Sequence, residues 1–133
     1  MPILALLLAA GRVAVAHDDV RHRTYLQNAK DAALAGCIAE AYRTSPDASG
    51  DAVATAGGYM QNFTDFDIEH GGEKLSALIT RTLTQSYLSI QGSSVRLDLM
   101  KCLDMYHGRE LDALVHRYSA HPLHSYARDY PDG

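Results

Sequence analysis

The stretch VRLDLMKCLDMYHGRELDALVHRY, residues 95–118, decides how this chain is read. At helical spacing Val95, Leu99, Cys102, Leu103 and Tyr106 fall on one stripe, the recurrence expected of a helix with one buried face. Arg96, Asp98, Lys101 and Asp104 lie outside that stripe and are expected in water. Gly108 follows, and a glycine adopts at little cost the left-handed conformation that ends a helix. A second amphipathic set comes at once, with Leu111, Leu114, Val115 and Tyr118 on its apolar side. The stretch therefore predicts two packed helices, with Cys102 on the buried stripe of the first. Only one other cysteine exists, Cys37.

Upstream, residues 21–44 read as one long helix. Leu26, Ala29, Ala33, Cys37 and Ala41 make its stripe, widened by Leu34, Ile38 and Tyr42. Its many alanines give high helix propensity and allow close approach of neighbours. It is expected to end before Ser45-Pro46, because a residue preceding proline avoids the α region. Residues 45–51 read as a turn rich in Pro, Asp, Ser and Gly, and residues 51–62 as a shorter helix burying Ala52, Ala56, Tyr59 and Met60. Gly57-Gly58 implies either a frayed centre or a close neighbouring backbone. Residues 62–72 form the most polar connection, with Asp65, Asp67 and Glu69 in alternation. A calcium loop starting at Asp65 would need Gly at its sixth position and Glu at its twelfth. His70 and Ser76 stand there. The carboxylates are read instead as a solvated loop supplying negative charge to the next helix start. Residues 73–91 are a strong helix through Leu75, Leu78, Ile79, Leu83, Tyr87 and Ile90. Gly92 is expected to close it, and Ser93 or Ser94 to cap the next. After Tyr118 the tail lacks periodicity beyond a turn near Tyr126, and drapes over the core or frays. No period-two strand pattern and no repeat is present, which predicts an all-α domain: one compact bundle of about five helices.

At 133 residues and 47% apolar composition the chain is of single-domain size, with no Pro/Gly/Ser-rich linker to divide it. A net charge of −4 and no basic run argue against nucleic acid as a partner, since nothing would neutralise phosphates. Residues 3–10 are a continuous apolar run, and Ala14-Val15-Ala16 places small residues where a signal peptidase cuts. Residues 1–16 are therefore expected to be a signal peptide and 17–133 the exported domain. The alternative is a buried N-terminal helix. The run is too short to span a membrane, which takes roughly 20 residues.

Two cysteines in an exported chain most often pair. Cys37 and Cys102 both lie on inner faces, as a bridge between packed helices requires. It would be worth about 4 kcal/mol by closing a long loop. Two buried thiols packed as small hydrophobes are the alternative. Neither cysteine suits nucleophilic catalysis, because an apolar mid-helix site raises a thiol pKa. His116, His121 and His124 match no zinc spacing. GGEK at 71–74 lacks the preceding strand and first glycine of a phosphate loop. The expectation is a binding protein with no catalytic residue, metal or cofactor. Tyr42, Tyr59, Tyr87, Tyr106 and Tyr118 read as core residues with their polar tips at the boundary, some of them equally suited to self-association.

The segments CIAEAY (37–42) and LMKCLDMYHGRELDALVHRY (99–118) resemble, in this order, the family-four amidase immunity proteins of bacterial type VI secretion. That family has a Cys-Ile-Ala-x-Ala-Tyr helix, then a Lys-Cys-Leu/Ile-Asp-x-Tyr-His segment and a Glu-Leu-Asp-x-Leu helix. Gly108 stands where the family usually carries a capping Ser. The resemblance implies a periplasmic, all-helical homodimer that forms a heterotetramer with two effectors. Each effector would be a peptidoglycan amidase, an NlpC/P60-type cysteine peptidase, inhibited by occlusion of its substrate groove. The family's groove-filling loop corresponds here to Ser89, Gln91, Gly92, Ser93 and Ser94, small residues suited to a narrow cleft. A periplasmic helical adaptor or small-ligand carrier is the alternative function.

Overall fold

The computed structural model describes residues 18–87 and 94–133. Among them are seven helices: α1 Asp18–His22, α2 Tyr25–Ala41, α3 Pro46–Asn62, α4 Ile68–Thr84, α5 Asp98–His107, α6 Arg109–Tyr118 and α7 Tyr126–Asp129. The described residues hold no strand, only isolated bridges at Thr24–Ser125 and Phe66–Ser119. The expected bundle of five is α2–α6, with one short helix added at each end.

The central helix is α2. It packs against α3 on one side and against α4, α5 and α6 elsewhere, so it is buried on several faces, at Asn28, Ala29, Ala32, Ala33, Ala35, Cys37 and Ala39. Alanine at most of these positions is what lets neighbours approach so closely. The core joins Ala29, Ala33 and Cys37 to Phe66, to Leu75, Leu78 and Leu83 of α4, to Cys102 and Met105 of α5, and to Leu111 and Val115 of α6. Cys37 and Cys102 are disulfide-bonded, with Cα atoms 5.7 Å apart.

The long helix expected over 21–44 is interrupted. Thr24 adopts extended backbone and its hydroxyl accepts from the Gln27 amide at 3.1 Å, which starts α2 afresh. The next amides, Tyr25 and Leu26, donate to the carbonyls of His124 and Pro122 at 2.8 and 2.9 Å. First-turn amides have no partner inside their own helix; here the C-terminal tail provides one. Tail residues 119–133 thus drape over the start of α2.

The proline-rich turn expected at 45–51 is instead the first part of α3. Pro46 occupies the first helical position, where its missing N–H costs nothing and its fixed φ fits. The helix runs through Gly57-Gly58 without fraying, and a Cβ at either glycine would meet nothing within 4 Å. Neither expected explanation for the pair holds. Of the residues expected on its buried side, Ala52 is buried while Ala56, Tyr59 and Met60 are half-buried.

The start of α4 is at Ile68, earlier than expected. Asp67 is its N-cap, accepting from the His70 amide at 3.1 Å, and that bond with the His70 imidazole holds its carboxyl below the usual range. Asp67 and Glu69 are exposed at the helix start as expected, but Asp65 is half-buried. It accepts from the Ser119 hydroxyl and from the His121 amide. Gly71 lies in close contact, since a Cβ there would come within 2.7 Å of both Phe66 and Tyr118.

The tail carries a pH-dependent tie. Tyr25 donates its hydroxyl to Asp129 at 2.9 Å; burial and that carboxylate push the hydroxyl above its usual range. Burial alone would raise Asp129, but the Tyr25 hydrogen bond and the charges of His124 and Arg128 outweigh it and hold the carboxyl low. A carboxyl depressed in the folded state stabilises above its unfolded pKa, and that contribution is lost as pH falls through the folded value. Below about pH 4 the tail should therefore loosen before the bundle, with pepsin cutting first within 119–133. Asp129→Asn should abolish this pH step.

Candidate functional site

The sequence places its candidate contact residues between α4 and α5. Ser89, Gln91, Gly92 and Ser93 lie outside the described residues, while Ser94 is exposed and outside any helix, just ahead of α5. The site is therefore defined by what holds the two ends of this link. The helix expected to reach residue 91 ends at Thr84, leaving Tyr87 beyond it; Ile90 lies outside the described residues.

The face that α5 buries differs from the expected one. Cys102 is fully buried, but Val95, Leu99 and Leu103 are 61%, 45% and 41% exposed. Tyr106 is half-buried and donates its hydroxyl to Asp31 at 2.9 Å. The inward arc is Lys101, Cys102 and Met105. The disulfide to α2 and the contact with α4 together fix this rotation, and they turn the apolar stripe outward. Met100, 44% exposed, joins it. The result is an uncovered apolar face running on from Ser94.

Lys101, expected in water, is inside. Its ammonium group lies 3.0 Å from Asp98, donates to the Leu83 carbonyl at 3.4 Å and faces the Tyr87 ring, with Nζ 5.8 Å from the ring centroid. The Tyr87 hydroxyl donates to Asp104 at 2.7 Å, a bond that, with burial, raises its pKa above the ordinary value. Leu97, which precedes α5, has φ of 56°, a left-handed conformation that costs a non-glycine residue about 1–2 kcal/mol. Gly108 is extended, with φ −77°, and serves as the N-cap of α6 with no side chain to cap it. The expected left-handed stop is not there.

A cleft of about 200 Å³ opens beside this region, lined by Arg81, Tyr87, Lys101, Arg109 and Glu110 among others. A groove of about 920 Å³ lies at the far end, under the tail, among Arg21, Phe63, Asp65, His121 and Tyr126. His121 and His124 stack at 4.5 Å, yet among the described residues no group of three or more His, Cys, Asp or Glu is placed to hold a metal ion. Of the five tyrosines expected in the core, Tyr42 is exposed and the others are half-buried; the buried one is Tyr25. Sequence reasoning also missed Lys101. Its only local signal is Asp98 one helical turn earlier.

Residues 27–115 match the model of the Tai4 family, described as type VI secretion system amidase immunity proteins. The chain belongs to the Tai4 family. The match includes CIAEAY and most of the α5–α6 segment. A solved chain from work on type VI-secreted toxins and self-resistance proteins of Serratia marcescens is 28% identical; the alignment covers 88% of this chain and 93% of that one, with a TM-score of 0.79. A chain of the Tae4/Tai4 effector–immunity system of Salmonella typhimurium shares the fold at 24% identity, covering 74% of this chain and 92% of its own, with a TM-score of 0.64. No curated protein matches. As a Tai4 protein the chain is a type VI amidase immunity protein whose partner is a cognate amidase effector. No helix among its described residues is long and apolar enough to cross a membrane.

Proposed function

We propose that this Tai4 protein acts in the periplasm by plugging the substrate groove of its amidase effector, an NlpC/P60-type cysteine peptidase that cuts the γ-D-glutamyl–diaminopimelate bond of peptidoglycan. The family match over residues 27–115 carries the reading. Inhibition by occlusion needs shape and hydrogen-bonding groups rather than a reactive residue. Residues 89–94, SIQGSS, supply small side chains and hydroxyls for that purpose. The contact residues are Ser89, Gln91, Gly92, Ser93 and Ser94.

The same reading has two copies pair and bind two effectors. The exposed face of α5 supports this. Two α5 helices packed antiparallel about Met100 would bury Leu99, Met100 and Leu103 of each copy against the other. Such an arrangement is self-complementary, as a two-fold interface requires.

Gly92→Trp tests the occlusion. A bulky ring at this position should weaken binding to the cognate amidase by at least about 100-fold, equivalent to about 2.7 kcal/mol, and abolish protection of cells expressing that amidase. The melting temperature should stay unchanged. A variant that still blocks the amidase would place the contact elsewhere. Light scattering of the wild-type mixture reads the stoichiometry.

A further inference from the structure

The groove of about 920 Å³ under the tail is walled by α1, by the turn after α3 and by the tail itself. Three aromatic rings stand in a row along it. Phe63 meets Tyr126 edge-on, with ring centroids 5.7 Å apart, and Tyr126 meets Tyr130 at 4.8 Å. The Arg21 guanidinium lies over the Tyr126 ring, 5.5 Å from its centroid, so the open ring of the row is Tyr130, 56% exposed. Polar groups fixed in place flank these rings. Asp65 accepts from the Ser119 hydroxyl and the His121 amide. Asp129 accepts from the Tyr25 hydroxyl at 2.9 Å and lies 3.0 Å from a ring nitrogen of His124. A carboxylate offers about four lone-pair sites, so each keeps acceptor capacity for a ligand. Asn62, exposed at the end of α3, donates to the Gly58 carbonyl at 3.0 Å. A side-chain amide carries two N–H donors and an oxygen acceptor, more than this bond uses.

This combination selects among ligand classes. One arginine set against two carboxylates offers phosphates no net attraction. A lipid chain would strip water from both carboxylates and return no hydrogen bond. A sugar fits both halves of the groove. One face of its ring carries C–H groups that can lie on an aromatic ring, and its rim carries hydroxyls that donate as well as accept. We propose that the groove under the tail is a carbohydrate-binding site, in which one sugar ring lies on Tyr130 and hydroxyls of the chain bond to Asp65, Asp129 and Asn62. The volume suits a short oligosaccharide, since small-molecule sites span about 300–1,000 Å³. The site is separate from the effector contacts proposed at residues 89–94 and does not depend on them. It is complete only while the tail is docked, because the bonds from the Tyr25 and Leu26 amides to the carbonyls of His124 and Pro122 hold the tail against α2.

The test titrates nitrogen-15-labelled wild-type protein with chitotetraose, a β-linked chain bearing acetamido groups, and separately with maltotetraose, an α-linked chain without them. Spermidine serves as a cationic comparison. At least one sugar should bind with a dissociation constant below about 10 mM, moving amide signals at 61–65 and 119–133 and leaving those of α5 in place. Tyr130→Ala should weaken that sugar at least about tenfold, while Tyr130→Phe, which keeps the ring, should bind within about twofold of wild type. Because Tyr130 is exposed, neither change should shift the melting temperature appreciably. If Tyr130→Ala undocks the tail, seen as faster hydrogen exchange at Tyr25 and Leu26, Asn62→Ala takes its place. That change leaves the tail untouched and should weaken the sugar at least about threefold. Dissociation constants above about 10 mM for both sugars, signals that move outside the groove, or undiminished binding by the informative variant overturns the proposal. Spermidine binding in the groove where neither sugar does would make it a cation site and overturns it equally.

Discussion

Replacing both Cys37 and Cys102 by Ala should lower the melting temperature by about 10–15 °C. The bridge joins residues 65 apart in sequence, and closing a loop of that size removes enough unfolded-chain entropy to stabilise by about 4 kcal/mol, within a usual range of 2–5. Both cysteines are 0% exposed, so a reductant should act only on molecules that have opened. Protein held cold with reductant should keep its bridge, whereas protein carried through a melt with reductant should refold as a weaker species. Intact mass, which registers the two hydrogens gained, distinguishes the forms. A double-alanine variant melting within about 3 °C of wild type would show that packing between α2 and α5 suffices.

Asn28→Ala should cost about 2–4 kcal/mol, read as a fall in the urea midpoint. Asn28 is fully buried, and its side-chain amide donates to the carbonyl of Val20 in α1 at 2.9 Å and to that of Phe63 after α3 at 3.0 Å. Truncation removes both hydrogen bonds and the packing of a fully buried side chain, and loss of a buried hydrogen-bond partner costs about 1–3 kcal/mol. Local exchange at 20–24 and 62–65 should rise more than elsewhere. Asn28→Asp should be worse than Ala, since it turns a carboxylate towards both carbonyls. Equal stability of Asn28→Ala and wild type would mean that α1 and the end of α3 are held by other contacts.

Helix content and the disulfide were legible because they follow from periodicity and from the inward placement of Cys37 and Cys102. Boundaries were harder. Pro46 and Asp47 look like a turn to any reading by composition, yet they also suit the first turn of a helix, and only the context chose. The break at Thr24 was hidden because its partners, Pro122 and His124, come from the opposite end of the chain. The face of α5 was misread for a physical reason. Periodicity reports which residues are apolar, and on a helix with one face in the core and another uncovered it cannot say which apolar side turns inward. Lys101 paid no attention to its own polarity rank, because Asp98, Leu83 and Tyr87 together satisfy its charge. Of the candidate contacts, Gly92 and its neighbours were read from chemistry and resemblance, and all but Ser94 lie outside the described residues.

The bonds from Tyr25 and Leu26 to His124 and Pro122 have a consequence for biogenesis. A polypeptide emerging from the ribosome would have residues 25–41 available long before the carbonyls that finish them. The first turn of α2 thus lacks these two acceptors until residues 122–124 have been made.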